Sequence, residues 1–233
     1  MPYRSPDQVA VTPQHRGRFP GYDVLEEVER WDDVTAGVVL DRLAPVTDLS
    51  FFTMDENACA GALCDLLLAQ DGEPKIPVVA LVDGRLAAGE TDGWHYDDLP
   101  EDGQAWRDTL RCLDEDAAAG GAASFATAPV DEQVRIVQHV QDLGSDPWHG
   151  MPAAQVWSLW TRYACAAFYS HPWSWNEIGF GGPAYPRGYK ARHIGPPGRE
   201  GWEVTDHDDV DPVPFATRVE KARRAHDDLA HGS

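Results

Sequence analysis

The stretch from Tyr169 to Trp202, YSHPWSWNEIGFGGPAYPRGYKARHIGPPGREGW, constrains this chain more than any other. Each Pro removes a backbone donor and fixes φ, and each Gly admits turns that other residues resist. Their density argues against a helix or a regular strand. Exposing Trp173, Trp175, Phe180, Tyr185, Tyr189 and Trp202 to water is unfavourable, so an irregular segment of this composition lies against something. Its basic residues Arg187, Lys190, Arg192 and Arg199 sit together in a chain of net charge −20. An apolar, locally basic loop on an acidic protein reads as a docking surface. The alternative is a long loop folded over its own core.

At 233 residues the chain fits one large domain, or a domain with extensions. An apolar fraction of 42% with nine Trp supports a sizeable core, which excludes wholesale disorder. The acidic balance excludes a broad nucleic-acid-binding face, because phosphate backbones need an extended basic surface. The longest apolar runs, Ala164 to Tyr169 and Ile76 to Val82, fall far short of the ~20 residues that a bilayer requires. The first residues, MPYRSPDQVAVTPQHRGRFPGYD, contain no apolar signal core and no twin-arginine pair, so the expected location is the cytoplasm. Cys59, Cys64, Cys112 and Cys165 make neither a C-x-x-C pair nor a zinc ribbon, and are expected to be small buried hydrophobes in a reducing compartment.

Three regions follow from composition: 1–50, an N-terminal arm with short helices at Asp23–Asp33 and Val34–Leu43; 51–202, a helical domain that includes the irregular segment 169–202; and 203–233, an acidic turn followed by a polar helix from Pro214 to about Leu229. Within the central region Thr53 and Glu56 have the spacing of a capping box. Ala58, Leu63, Leu66 and Leu67 continue it as an apolar stripe. Pro77 opens a dense apolar element whose length and polar breaks favour a helix over a strand. Pro100, Glu101 and Asp102 mark the next N-terminus, with Trp106, Leu110 and Leu113 at helical spacing. A flexible break is expected at Ala117–Ala123. Pro129 then starts a helix carrying Val130, Val134, Val137 and Val140 or Leu143. A last long helix runs from Pro152 to about Phe168, with Val156, Leu159, Trp160, Tyr163 and Ala167 on one side. The fold class is mainly α, a bundle-like body with a long irregular segment near the C-terminus.

Motifs for chemistry are missing from this pattern. GFGG at Gly179–Gly182 is followed at once by Pro183 and cannot open the helix that a dinucleotide fingerprint requires. The acidic run from Asp206 to Asp211 lacks the ligand spacing of an EF-type calcium loop. His95, His139, His149 and His171 belong to no H-x-x-x-H or H-E-x-x-H array. No G-x-S-x-G elbow is present, and no Cys lies in an activating motif. Catalytic, cofactor-binding and metal-binding residues are therefore all expected to be none. An aromatic surface without a catalytic constellation suggests a subunit.

FFT at Phe51–Thr53, PKIPVVALVDGRL from Pro74 to Leu86, and YSHPWSWNEIGFGGPAYPRGY from Tyr169 to Tyr189 together resemble the gluconate 2-dehydrogenase subunit 3 family. The resemblance extends from about Pro20 to Trp202. It implies a non-catalytic small subunit that binds and stabilises a large FAD-dependent dehydrogenase of the glucose-methanol-choline type, acting on sugars, sugar acids or alcohols. The flavin would sit on that partner and none on this chain, and a cytochrome c subunit could carry electrons onward. Many members carry a twin-arginine export signal, which is not seen here; co-export with a signal-bearing partner is the alternative to a cytoplasmic complex. The residues expected at the partner interface are Tyr169, His171, Trp173, Trp175, Phe180, Tyr185, Arg187, Tyr189 and Trp202. Rival readings are a cytoplasmic chaperone or adaptor for such a flavoprotein, and an independent enzyme using His171, Glu177 and Tyr185.

Overall fold

The computed structural model describes residues 23–44, 49–94 and 96–183. The expected C-terminal polar helix, the acidic turn, and Tyr185, Arg187, Tyr189 and Trp202 lie outside the described residues. Contacts divide the described chain into two compact units. One is the body, Ala44–His171; the other joins residues 23–43 to residues 172–183.

The body is helical: α2 (Met54–Leu68), α3 (Val78–Ala87), α4 (Asp102–Ala119), α5 (Val130–Leu143) and α6 (Ala153–Ser170). A two-residue turn joins the short antiparallel strands β1 (Pro147–Trp148) and β2 (Met151–Pro152), in which Trp148 pairs with Met151. Its central residues, His149 and Gly150, both have positive φ, at 48° and 81°. This is the conformation that lets a tight turn follow the twist of its strands. Helix α6 packs on α2, α3, α4, α5 and β2 and forms the spine of the unit. Trp106, Leu110 and Leu113 of α4, with Val156, Leu159, Trp160 and Tyr163 of α6, are buried as their spacing predicts.

Two stripes are rotated from their expected positions. In α2 the buried face is Cys59, Ala60, Leu63, Cys64 and Leu68, while Ala58 is exposed and Leu66 and Leu67 are half-buried. Cys59 faces α4, with its Sγ 3.7 Å from the Leu110 carbonyl. Burial pushes the Cys64 thiol up to about 12. In α5 Ile136, Val137 and Val140 face inward, whereas Val130 and Val134 are exposed. Gln133 takes the inward place because its amide donates to the Phe125 carbonyl at 2.8 Å. All four cysteines are free. Cys165 corrects the expectation of burial, because it lies on the solvent side of α6. The expected break at Ala117–Ala123 begins later than anticipated: α4 continues to Ala119, and Gly121 (φ 93°) lets the Ala122 amide reach the Ala117 carbonyl at 3.0 Å. This bond closes the helix in a Schellman-type stop.

The entry to α2 depends on a carboxylate from α3. Asp83, 1% exposed, accepts from the Ser50, Phe51 and Phe52 amides at 2.7, 3.1 and 2.7 Å. Phe52 thereby turns inward to meet the Trp106 ring edge-on, with centroids 6.1 Å apart. Arg107 of α4 clasps the same turn. It donates to the Phe51 carbonyl at 2.6 Å and to both Glu56 oxygens, and its guanidinium lies over the Phe51 ring. The expected capping box is present, with the Thr53 amide bonded to Glu56 Oε2 at 2.8 Å and the Glu56 amide to Thr53 Oγ1 at 3.3 Å.

Two measurements test this junction. Asp83→Ala leaves three backbone donors without their acceptor and is expected to cost about 3 kcal/mol or more in urea unfolding; a loss below about 1 kcal/mol contradicts the assigned role. For Glu56, burial raises the carboxyl pKa, but the Thr53 bonds and Arg107 outweigh it and hold the group below its usual range. A depressed carboxylate contributes stability above its unfolded pKa of ~4.3 and loses it as pH falls through the folded value. The stability advantage of the native chain over Glu56→Gln should therefore be full at neutral pH and vanish in acid. An advantage independent of pH would count against the ionic role.

Candidate partner interface

The segment expected to be irregular from Tyr169 onward is helical at its start. Tyr169 and Ser170 end α6, and α7 spans Pro172–Ile178. The first glycine of the segment is Gly179, and Pro172 stands at the first helical position, where its missing amide costs nothing. Gly179 (φ 72°) then lets the Phe180 amide bond the Trp175 carbonyl at 2.9 Å. That bond spans five residues and satisfies an orphan carbonyl at the helix end. The first glycine of GFGG is thus a helix terminator.

Trp175 and His171 are buried, at 5% and 2% exposure. His171 belongs to the body, where its amide caps α6 by donating to the Phe168 carbonyl at 3.2 Å. Trp175 belongs to the other unit. There it joins Val24, Trp31 and Val39 in a small apolar core, and the Arg42 guanidinium lies 5.8 Å from its ring centroid. Trp173 is half-buried. Tyr169 and Phe180 reach solvent, at 49% and 37% exposure, and so does Ile178 at 48%. Tyr169 leans edge-on against Phe168 within the body, and Phe180 leans edge-on against Trp175 within the smaller unit. Glu177 is buried at 8% exposure.

The smaller unit is assembled by pairing the N-terminal segment with α7. A 3-10 helix at Val24–Arg30 precedes α1 (Asp33–Asp41), and each has an Asp cap, Asp23 and Asp32. The Asp32 carboxyl is held below its usual range, chiefly by the Thr35 amide. Asn176 of α7 accepts from the Val24 amide at 2.8 Å through Oδ1 and donates to Asp23 at 3.2 Å through Nδ2. One amide side chain thus ties the 3-10 helix to residues more than 150 positions away. Sequence reading missed Ile178 and Asn176. The polar Asn176 within an aromatic run was the available signal, since a buried amide in such a place needs a backbone partner.

Gly182 shows how closely the two segments meet. A Cβ there would stand 2.5 Å from Trp31 Cζ2 and 3.0 Å from Val24 Cγ2, and its φ of 78° disfavours any side chain. Gly182→Ala should therefore loosen residues 179–183 from the Val24–Trp31 core. The expected readout is a red shift of tryptophan emission and faster amide exchange at Val24; unchanged exchange at Val24 would show that the contact does not hold the unit together.

A family model described as gluconate 2-dehydrogenase subunit 3 matches residues 54–182, more than half of the chain. The match covers the whole helical body from α2 onward, and α7 with its GFGG terminator. Comparison with curated proteins and with solved structures gave no match. Among the described residues no helix is long and apolar enough to cross a membrane. This chain belongs to the gluconate 2-dehydrogenase subunit 3 family.

Proposed function

We propose that this chain is the non-catalytic accessory subunit of a dehydrogenase complex, and that it binds and stabilises a large FAD-dependent partner of the glucose-methanol-choline type. The observation that carries the reading is the family match across α2 to α7. In this reading the flavin and hydride transfer belong to the partner, which oxidises a sugar, sugar acid or alcohol, and a cytochrome c subunit can receive the electrons. The complex is cytoplasmic, or leaves the cytoplasm on the partner's own signal. Two features of the chain support a docking role. The body exposes Tyr169 at the end of α6, and the smaller unit separately exposes Ile178 and Phe180 around the end of α7. Exposed aromatic side chains on rigid helix ends make low-entropy anchors for a partner.

The test is affinity capture of the tagged chain from its native cells, with mass and absorbance of what co-elutes. A yellow, near-stoichiometric partner of flavoprotein size is expected; a colourless monomer would overturn the proposal. With the complex in hand, Tyr169→Ala and Phe180→Ala should each weaken it by ~1–3 kcal/mol while the isolated chain keeps its stability. Trp175→Ala should do the reverse, because its ring fills the core of the smaller unit. Its loss is expected to cost the isolated chain about 3 kcal/mol.

A further inference from the structure

The turn between β1 and β2 returns a histidine to the solvent end of α4, where it meets two residues one helical turn apart. Cys112 and Glu115 share a face of α4 at the i, i+3 spacing. Their ligand atoms and a ring nitrogen of His149 all lie within 4.8 Å of one another. The Cys112 side chain is buried, while Glu115 and His149 are partly open to solvent.

The histidine is held from behind. Its Nε2 lies 2.8 Å from Asp116 Oδ1, and Asp116 Oδ2 accepts from Trp148 Nε1 at 2.9 Å. Both Asp116 oxygens are thus engaged, and Trp148 itself is buried against Trp160 with ring centroids 5.5 Å apart. With Nε2 donating to Asp116, Nδ1 of a neutral ring presents a lone pair. That nitrogen faces Glu115 Oε2 at 3.6 Å. Two acceptors facing each other repel unless a cation lies between them. The other Glu115 oxygen is paired with Arg111, which leaves Oε2 for that cation.

We propose that Cys112 Sγ, Glu115 Oε2 and His149 Nδ1 form a three-ligand site for a divalent ion of the zinc class, with Asp116 positioning the histidine. The distances support it. Bond lengths of ~2.0–2.3 Å in tetrahedral geometry place ligand atoms roughly 3.4–3.6 Å apart. The histidine–glutamate pair already has that separation at 3.6 Å, and the thiol, within 4.8 Å of both, needs a shift of at most about 1.4 Å to reach it. A thiolate, an imidazole and a carboxylate suit zinc or cobalt, and do not suit calcium or magnesium, which take oxygen ligands. Two anionic ligands neutralise the ion. A carboxylate behind the ligating histidine is the usual outer-shell arrangement, because it fixes the tautomer and makes the ring a better donor. The fourth position is left to water or to a donor from another protein. Such an ion would pin the hairpin turn to α4, independently of which partner the chain binds.

The test is titration of the full-length purified chain with Co²⁺ after removal of metal by chelation. The expected result is a single equivalent bound, with the intense visible bands of four-coordinate cobalt and a near-ultraviolet thiolate-to-cobalt band. Cys112→Ser should abolish the thiolate band, whereas Cys165→Ser, which alters the exposed thiol, should keep it. Glu115→Gln and His149→Ala should each weaken binding by about tenfold or more, and Asp116→Asn by roughly 10–100-fold. His149 lies in the surface turn, so its variant decides the matter if loss of the buried Cys112 thiol impairs folding. The absence of a cobalt thiolate band in the native chain overturns the proposal. Cobalt affinity left unchanged by His149→Ala overturns it equally.

Discussion

The body hangs on one buried carboxylate. Asp83 receives three successive amides from the turn ahead of α2. A carboxylate removed from water is tolerated only when its lone pairs are filled, and three backbone donors fill them. Through this clasp α3 fixes where α2 begins, and Arg107 then registers α4 on the same turn. Phe52 enters the core as a consequence, and the aromatic chain from Phe52 to Trp106 to Tyr163 carries the register across to α6.

The start of α4 uses the same device at larger scale. Asp102, at the start of α4, accepts from the Tyr163 hydroxyl at 2.7 Å and from Arg162 at 3.2 Å. Arg162 also pairs with Asp92, whose carboxyl is held below its usual range by the bond to Arg85 first and by Arg162 with it. Burial and the Asp102 bond push the Tyr163 hydroxyl well up, so it remains a neutral donor at any physiological pH. Between these polar junctions the packing is apolar and tight, and Trp160 satisfies its indole nitrogen on Thr109 at 3.0 Å. A small acidic protein thus places charged groups where they join helices.

Much of the body is legible in the sequence because its signals are local. The capping box at Thr53 and Glu56, the Pro-marked helix starts, and the Trp106–Leu110–Leu113 spacing each need only a few adjacent residues to be read. The stripes of α2 and α5 are less legible. Which face is buried there depends on Cys59 meeting the Leu110 carbonyl and on Gln133 meeting the Phe125 carbonyl, and both partners lie elsewhere in the chain. The aromatic segment was misread at its beginning for the opposite reason. Its Gly and Pro residues are concentrated after Ile178, so an average over Tyr169–Trp202 hides the short helix Pro172–Ile178.

The sequence by itself determined the class of fold, the helix starts and the family, since these rest on periodicity, caps and runs of particular residues. Tertiary structure alone decided which long-range polar groups meet. Asn176 reaches Val24, Asp83 reaches Ser50 to Phe52, and His149 reaches Asp116 and Glu115. Hydrogen bonds and ligand sets act over about 3 Å whatever the separation along the chain, so spacing in sequence carries no trace of them. The aromatics expected at an interface divide in the same way. Composition marks Trp175 and Phe180 alike, and only the packing of Val24, Trp31 and Val39 makes one a core residue and leaves the other at the surface.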